Sequence, residues 1–130
     1  MYFNGHGVDA TIKLQQSSKP IHSGDLNKIL LELHAKGRYK EVFLLADTCE
    51  AESFFDEITA PNVVWMATST RDESAYSSSR DDHYNLYLMD NFTQQFLDFL
   101  FDEYEKWQDF KFSDFSQKYG EVDIKSNIVM

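Results

Sequence analysis

Apolar residues along the chain fall into short runs separated by segments with helical spacing. Val42 to Ala46 is an unbroken apolar run between Glu41 and Asp47, the pattern of a strand buried on both faces of a parallel sheet. Val63-Val64-Trp65-Met66-Ala67, after the punctuation of Pro61 and Asn62, predicts another strand of the same kind. Ahead of the first run, Leu26, Ile29, Leu30 and Leu33 line one face of a helix, with Ser23 placed as its N-cap and Gly37 as its stop. Met1-Tyr2-Phe3 reads as a further apolar, aromatic strand. Strand, helix and strand in that order make the crossover unit that parallel pairing requires.

The rest of the chain fits around this unit. Thr11-Ile12-Lys13-Leu14 alternates as a half-exposed strand would, and Gln15 to Pro20 reads as a loop. Ala51 to Ile58 predicts a short helix. Thr68 to Asn85 is polar and too long for an ordinary connection, so it is expected to be disordered or a functional loop over the strand ends. Asp90 to about Trp107 predicts a helix capped by Asp90 or Asn91, apolar over more than one face and therefore buried against the sheet. Phe110 to Tyr119 predicts another short helix, Gly120 its end, and Ile124 to Met130 the start of a strand. The fold class is α/β, with a mainly parallel sheet flanked by helices.

Composition narrows the functional classes. The 130 residues amount to one domain, and a hydrophobic fraction of 42% suffices for a packed core. A formal net charge of −10 disfavours nucleic acid and anionic membrane surfaces as partners. The single cysteine cannot form an internal disulfide, so the redox compartment stays open. No run approaches the length of a membrane span, and the N-terminus lacks the segments of a signal peptide. His22, His34 and His83 are too scattered to suggest a metal, the acidic pairs Asp81-Asp82 and Asp102-Glu103 read as solvated charge, and no cofactor is expected. Asn91-Phe92-Thr93 matches a glycosylation sequon at a helix start.

Two side chains carry candidate chemistry. Cys49 lies just past the end of the Val42 run, where open α/β sheets gather their ligands. A helix starting at Ala51 would favour its thiolate through the partial charge at the helix N-terminus. His6 lies just past the first strand, between Gly5 and Gly7, which permit a sharp turn and close approach to the main chain. Placed on neighbouring parallel strands, the two would form a Cys/His dyad. The competing reading makes Cys49 a small hydrophobe packed under a helix and Gly-His-Gly an ordinary turn. Asp47 is expected to bond nearby backbone N–H groups.

Tyr2-Phe3-Asn4-Gly5-His6-Gly7, Leu45-Ala46-Asp47-Thr48-Cys49, Ala67-Thr68-Ser69, Asp72-Glu73-Ser74-Ala75-Tyr76-Ser77 and Leu88-Met89-Asp90-Asn91-Phe92-Thr93 follow one another in a familiar order. In order and rough spacing they resemble the GPI transamidase catalytic subunits, legumain-like cysteine peptidases of caspase fold. The resemblance runs from the first residue to about Leu100. It implies a partial caspase-like three-layer sandwich, residues 1–130 forming a single partial catalytic domain without the family's N-terminal βαβ portion. That portion would carry the neighbour of the histidine strand, and an asparagine that orients the imidazole. The family's signal peptide and C-terminal anchor likewise have no counterpart here, so a fragment or a shortened relative is expected.

By this resemblance Cys49 is the nucleophile and His6 the general base and acid. The N–H groups of Gly7 and Cys49 form the oxyanion hole, glycine following His6 because a side chain would crowd the tetrahedral intermediate. Ala67, Thr68, Ser69 and Ser74 line the substrate pocket, or else cap strand ends as a hydroxyl-rich loop. The implied reaction passes a precursor protein with a C-terminal GPI signal, through a thioester, to the ethanolamine amine of glycosylphosphatidylinositol. The implied setting is the lumenal side of the endoplasmic reticulum, with other transamidase subunits as partners. A legumain-like endopeptidase, in which water resolves the thioester, and a truncated non-catalytic paralogue are the alternatives. The Leu-Met-Asp-x-Phe-Thr element favours the transamidase over legumain.

Overall fold

Strands β1 (Tyr2–Asn4), β5 (Val42–Asp47) and β6 (Val63–Ala67) form a parallel sheet in the order β1-β5-β6 in the computed structural model, which describes residues 1–13, 19–78, 80–102, 111 and 124–130. The apolar run at Val42 is thus the central strand, hydrogen-bonded on both sides. Its alternate residues serve two cores, because successive side chains point to opposite faces. Leu44 and Ala46 pack with Leu26, Leu30 and Phe54 on one face. Leu45 packs with Met66, Phe92 and Phe99 on the other.

Helix α1 (Ser23–Ala35) and the 3-10 turn Ala51–Phe55 cover the first face, and α2 (Asn91–Asp102) covers the second. This is the partial three-layer sandwich that the sequence predicts. Leu26 and Leu30, one helical turn apart, anchor α1, while Ile29 and Leu33 stay exposed, so the buried stripe is narrower than the four leucine and isoleucine positions suggest. The predicted cap moves by one residue. His22 is the N-cap, with no side-chain hydrogen bond, and Ser23 begins the helix. Its hydroxyl is buried without a partner among the described residues. Gly37 ends the helix as predicted, with φ +61° and its N–H donated to the His34 carbonyl. His34 is half-buried against the Tyr39 ring.

A second sheet is antiparallel. β2 (His6–Val8), β3 (Thr11–Lys13) and β4 (Ile21–His22) pair in order, with Gly7 opposite Ile12 and Ile12 opposite Ile21. The alternating Thr11 segment therefore belongs to a hairpin beside the main sheet, and Ile12 is the buried residue that pins the hairpin to the α1 core. The polar segment after Ala67 contains a small hairpin, β7 (Arg80–Asp81) with β8 (Leu86–Tyr87), and closes through a bridge between Ser77 and Asp90. Of the predicted C-terminal strand, Val129 makes a single antiparallel bridge to Ala67. The expected helix at Phe110 to Tyr119, its end at Gly120, the Trp107 end of α2 and most of the Gln15 loop lie outside the described residues.

Candidate active site

Register brings the two candidate residues to one edge. Asn4 pairs with Asp47 across β1 and β5, and the Gly5 N–H donates to the Asp47 carbonyl at 3.3 Å. His6 and Cys49 are each two residues further on. Gly5 turns the chain there with φ +141°, a conformation that L side chains rarely adopt. His6, first residue of β2, is exposed, and Cys49 is half-buried. The Cys49 thiol donates to the Ala75 carbonyl at 3.9 Å, and among the described residues no hydrogen bond joins it to His6.

The backbone of β2 is pressed against the nucleophile turn. A Cβ built on Gly7 would lie 2.4 Å from the Cys49 carbonyl oxygen and 2.5 Å from Thr48 Oγ1. Glycine is thus required by the resting packing of two strand ends, whatever it also does for an intermediate. Glu50, directly after the thiol, adopts left-handed φ 52°, uncommon for a side chain of its kind. Hydrogen bonds hold it there: its N–H donates to the Glu73 carbonyl at 2.8 Å, its carbonyl accepts from Ser53 Oγ at 2.7 Å and from the Ser53 N–H at 3.0 Å, and its carboxylate accepts from the Asp9 N–H at 3.2 Å. The last of these ties the tip of the β2–β3 hairpin to the Cys49 turn. The following segment is a five-residue 3-10 turn rather than the predicted helix to Ile58, and its first N–H, at Ala51, is already donated to Ser69 Oγ at 2.9 Å. Little dipole is left to act on the thiol.

The predicted substrate rim divides in two. Ala67, Thr68 and Ser69 are fully buried. Thr68 Oγ1 donates to Asp47 Oδ1 at 2.9 Å and Ser69 Oγ to the Thr48 carbonyl at 2.8 Å. Their hydroxyls face inward and brace the strand ends, the capping role of the alternative reading. Ser74 is exposed, one residue before the carbonyl that receives the thiol.

Asp47 is buried, but among the described residues its carboxylate does not bond backbone N–H groups as predicted. Its carboxylate accepts from the hydroxyls of Thr68, Thr93 at 2.7 Å and Tyr2 at 3.3 Å. The network joins β1, β5, β6 and α2 beneath the site. Burial pushes the Asp47 carboxyl above its ordinary value despite the Thr93 and Thr68 hydrogen bonds, and the nearby Asp90 adds to the rise. Tyr2 is pushed up to about 12, again chiefly by burial of its hydroxyl and also by the Asp47 charge. Half of Tyr2 is nonetheless open to solvent. Burial also pushes Glu73 up, but hydrogen bonds from Thr70 and Asn127 outweigh it and hold this carboxyl below its ordinary value. Glu73 thereby fixes residues 124–130 to the loop at Ser74.

Tyr2, Glu73 and Thr93 stand within the segments that carry the resemblance, yet the sequence alone assigns neither them nor Glu50 a part in the site. Thr93 stands in plain view in Asn91-Phe92-Thr93, where the match to a sequon masks its bond to Asp47. Among the described residues no group of three or more His, Cys, Asp or Glu could hold a metal ion, and no helix is long and apolar enough to cross a membrane.

The GPI-anchor transamidase of Saccharomyces cerevisiae is 35% identical over 100 residues, 77% of this chain and 24% of its own length. That of Schizosaccharomyces pombe is 31% identical over 126 residues, 97% of this chain and 33% of its own length. The human GPI-anchor transamidase is 31% identical over 100 residues, covering 25% of its length. The chain thus spans a quarter to a third of these relatives. The peptidase C13 family pattern matches residues 1–126, nearly end to end. With a strand-end cysteine and histidine delivered to one sheet edge, and a family match over almost its whole length, the chain belongs to the peptidase C13 family.

Proposed function

We propose that residues 1–130 are the catalytic part of a GPI-anchor transamidase, working on the lumenal side of the endoplasmic reticulum with other transamidase subunits. The supporting observation is the parallel register of β1 on β5, which sends His6 and Cys49 past the same edge of the sheet with the Gly7 backbone packed on the Cys49 turn. His6 takes the thiol proton as Cys49 Sγ attacks the carbonyl at the anchor site of a precursor bearing a C-terminal GPI signal. The carbonyl oxygen gains charge, which the N–H groups of Gly7 and Cys49 stabilise. The peptide C–N bond breaks, His6 returns its proton to the leaving amine, and a thioester remains.

The ethanolamine amine of glycosylphosphatidylinositol then attacks the thioester and gives a proton to His6. The C–S bond breaks, and the proton returns to Cys49. Ser74 contributes direct contact to substrate, while Ala67, Thr68 and Ser69 set the shape of the rim. The thiol must leave the Ala75 carbonyl and turn toward His6, and catalytic hydrogen bonds of this kind often tighten only when substrate binds.

The test is made in the full-length gene product. Cys49→Ala and His6→Ala are each expected to abolish anchor transfer while leaving the fold intact. Normal surface display of anchored proteins in a strain carrying only the Cys49→Ala form would overturn the proposal. On the isolated chain, Cys49 alkylation followed against pH is expected to depend on His6. An ordinary thiol profile, unchanged by His6→Ala, counts against the dyad.

A further inference from the structure

The loop that reaches Cys49 is anchored by a carboxylate. Glu73 closes the turn 70–73: its N–H donates to the Thr70 carbonyl at 3.3 Å, and its Oε2 accepts from the Thr70 N–H at 2.7 Å and the Thr70 hydroxyl at 2.9 Å. This reciprocal pair spans Asp72, which takes a left-handed φ of 61°, uncommon for a residue with a side chain. The same carboxylate accepts from the Asn127 N–H at 3.1 Å and the Asn127 side-chain amide at 3.0 Å. Asn127 is itself tied to the sheet through its neighbours. The Ser126 hydroxyl donates to the Thr68 carbonyl at 2.6 Å, and Val129 bridges Ala67. Burial raises the Glu73 carboxyl, but the Thr70 and Asn127 hydrogen bonds outweigh it and keep it below its ordinary value. At neutral pH the clasp is therefore charge-assisted. From this anchor the loop meets the nucleophile turn. The Glu73 carbonyl accepts the Glu50 N–H at 2.8 Å, and two residues on, the Ala75 carbonyl accepts the Cys49 thiol at 3.9 Å.

We propose that Glu73 is a positioning residue for the nucleophile: its carboxylate, clamped to Thr70 and Asn127, sets the Ala75 carbonyl against the Cys49 thiol and keeps the proton on sulfur in the resting protein. The role rests on Cys49 being the reacting thiol of the proposed function, and it adds what restrains that thiol. An S–H can donate to a carbonyl, whereas a thiolate has no proton to give and is repelled by the carbonyl oxygen. The contact therefore favours the form that does not attack. Glu73 acts on it through Ala75. Glutamine in place of Glu73 would turn an amide donor toward the donors of Thr70 or Asn127, whichever oxygen it replaced, so the clasp cannot survive that change intact. Substrate meeting the exposed Ser74, between Glu73 and Ala75, would lift the same carbonyl and free the thiol for His6.

The test is Cys49 alkylation by iodoacetamide in the 130-residue chain, followed against pH, with circular dichroism on the same samples. Glu73→Gln and Asn127→Ala are each expected to speed alkylation about twofold to tenfold at pH 7, the worth of an ordinary hydrogen bond, and to move the profile toward acid. Because both act on one clasp, the double variant is expected to react as the faster single variant does. Asn127 is exposed, so its variant keeps the test decisive should Glu73→Gln fold poorly. Ser126→Ala loosens the same segment without removing a Glu73 hydrogen bond, and is expected to react as the parent does. Parental rates and profiles in both clasp variants, a rise by the same factor at every pH, or an equal effect of Ser126→Ala would each overturn the inference, the last two because general loosening explains them. His6→Ala on the same samples separates the two readings. Alkylation that depends on His6 but not on Glu73 leaves the proposed function standing and removes the restraint. Faster alkylation in Glu73→Gln by a thiol indifferent to His6 keeps the restraint and removes the dyad.

Discussion

Replacing Gly7 by alanine tests the packing on which the site is built. The added methyl would stand 2.4 Å from the Cys49 carbonyl oxygen, 2.5 Å from Thr48 Oγ1 and 2.9 Å from Thr48 Cβ. Comfortable contact for carbon is about 3.5–4.0 Å, so the strand ends must part by roughly 1 Å. No flexible tip can yield, because one neighbour is backbone and Thr48 is buried, its hydroxyl bonded to that same carbonyl at 3.0 Å. Overpacking of this kind costs about 1–3 kcal/mol. For a chain of this length that lowers Tm by roughly 3–12 °C. The strain is relieved by moving the β2–β3 hairpin, and His6 with it, away from the Cys49 turn. Thermal unfolding by circular dichroism reads the first effect, and the pH profile of Cys49 alkylation reads the second. The Gly7→Ala thiol is expected to react as the His6→Ala thiol does. A Gly7→Ala protein with the parental Tm and the parental alkylation profile would refute the close approach and the site with it.

Gly24→Ala supplies the contrast. The atoms nearest its Cβ would be those of the Glu57 carboxylate, the first at 2.6 Å, and the end of a flexible side chain can swing clear. Alanine also gains helix propensity at the start of α1, so a change within about 1 kcal/mol is expected by urea titration, and a loss above 2 would contradict it. Asp47→Asn probes the buried carboxylate. Because Asp47 holds its proton more tightly folded than unfolded, its contribution is whole below the ordinary value of 3.8 and falls as pH rises through the raised one. The asparagine variant escapes that fall, so its stability relative to the parent is expected to improve from pH 4 toward neutrality, by about 1.4 kcal/mol for each pH unit separating the folded and free values. Parallel stability curves for the two proteins would contradict it.

Much of this fold could be read from apolar periodicity. Val42 to Ala46 and Val63 to Ala67 could be little else than buried parallel strands, and Leu26 with Leu30 fixed the crossover helix that leads into the first of them. Glycine punctuation pointed to His6, and the end of the central strand to Cys49. What stayed hidden depends on contacts between residues distant in the chain. Nothing near Asp47 announces Thr93, 46 positions away, and Thr68 and Ser69 look like a polar rim until the sheet turns their hydroxyls inward. The Ser23 cap failed for a related reason. The preceding strand β4 ends at His22, and the hairpin draws the Ser23 N–H onto the Ala10 carbonyl at 2.9 Å. Tertiary geometry set that boundary over local preference.

The alternation along β5, repeated in β6 by Ala67 and Met66, gives the molecule two nearly separate halves that meet in the parallel sheet. Cavities opened at Leu44 would slacken the hairpin and the turn after the thiol, whereas cavities at Leu45 would loosen α2 and the hydroxyl cluster around Asp47. Sequence drift on one face need not be compensated on the other. The backbone ending at Asp47 is where the two halves are forced to agree, and the proposed nucleophile begins two residues later.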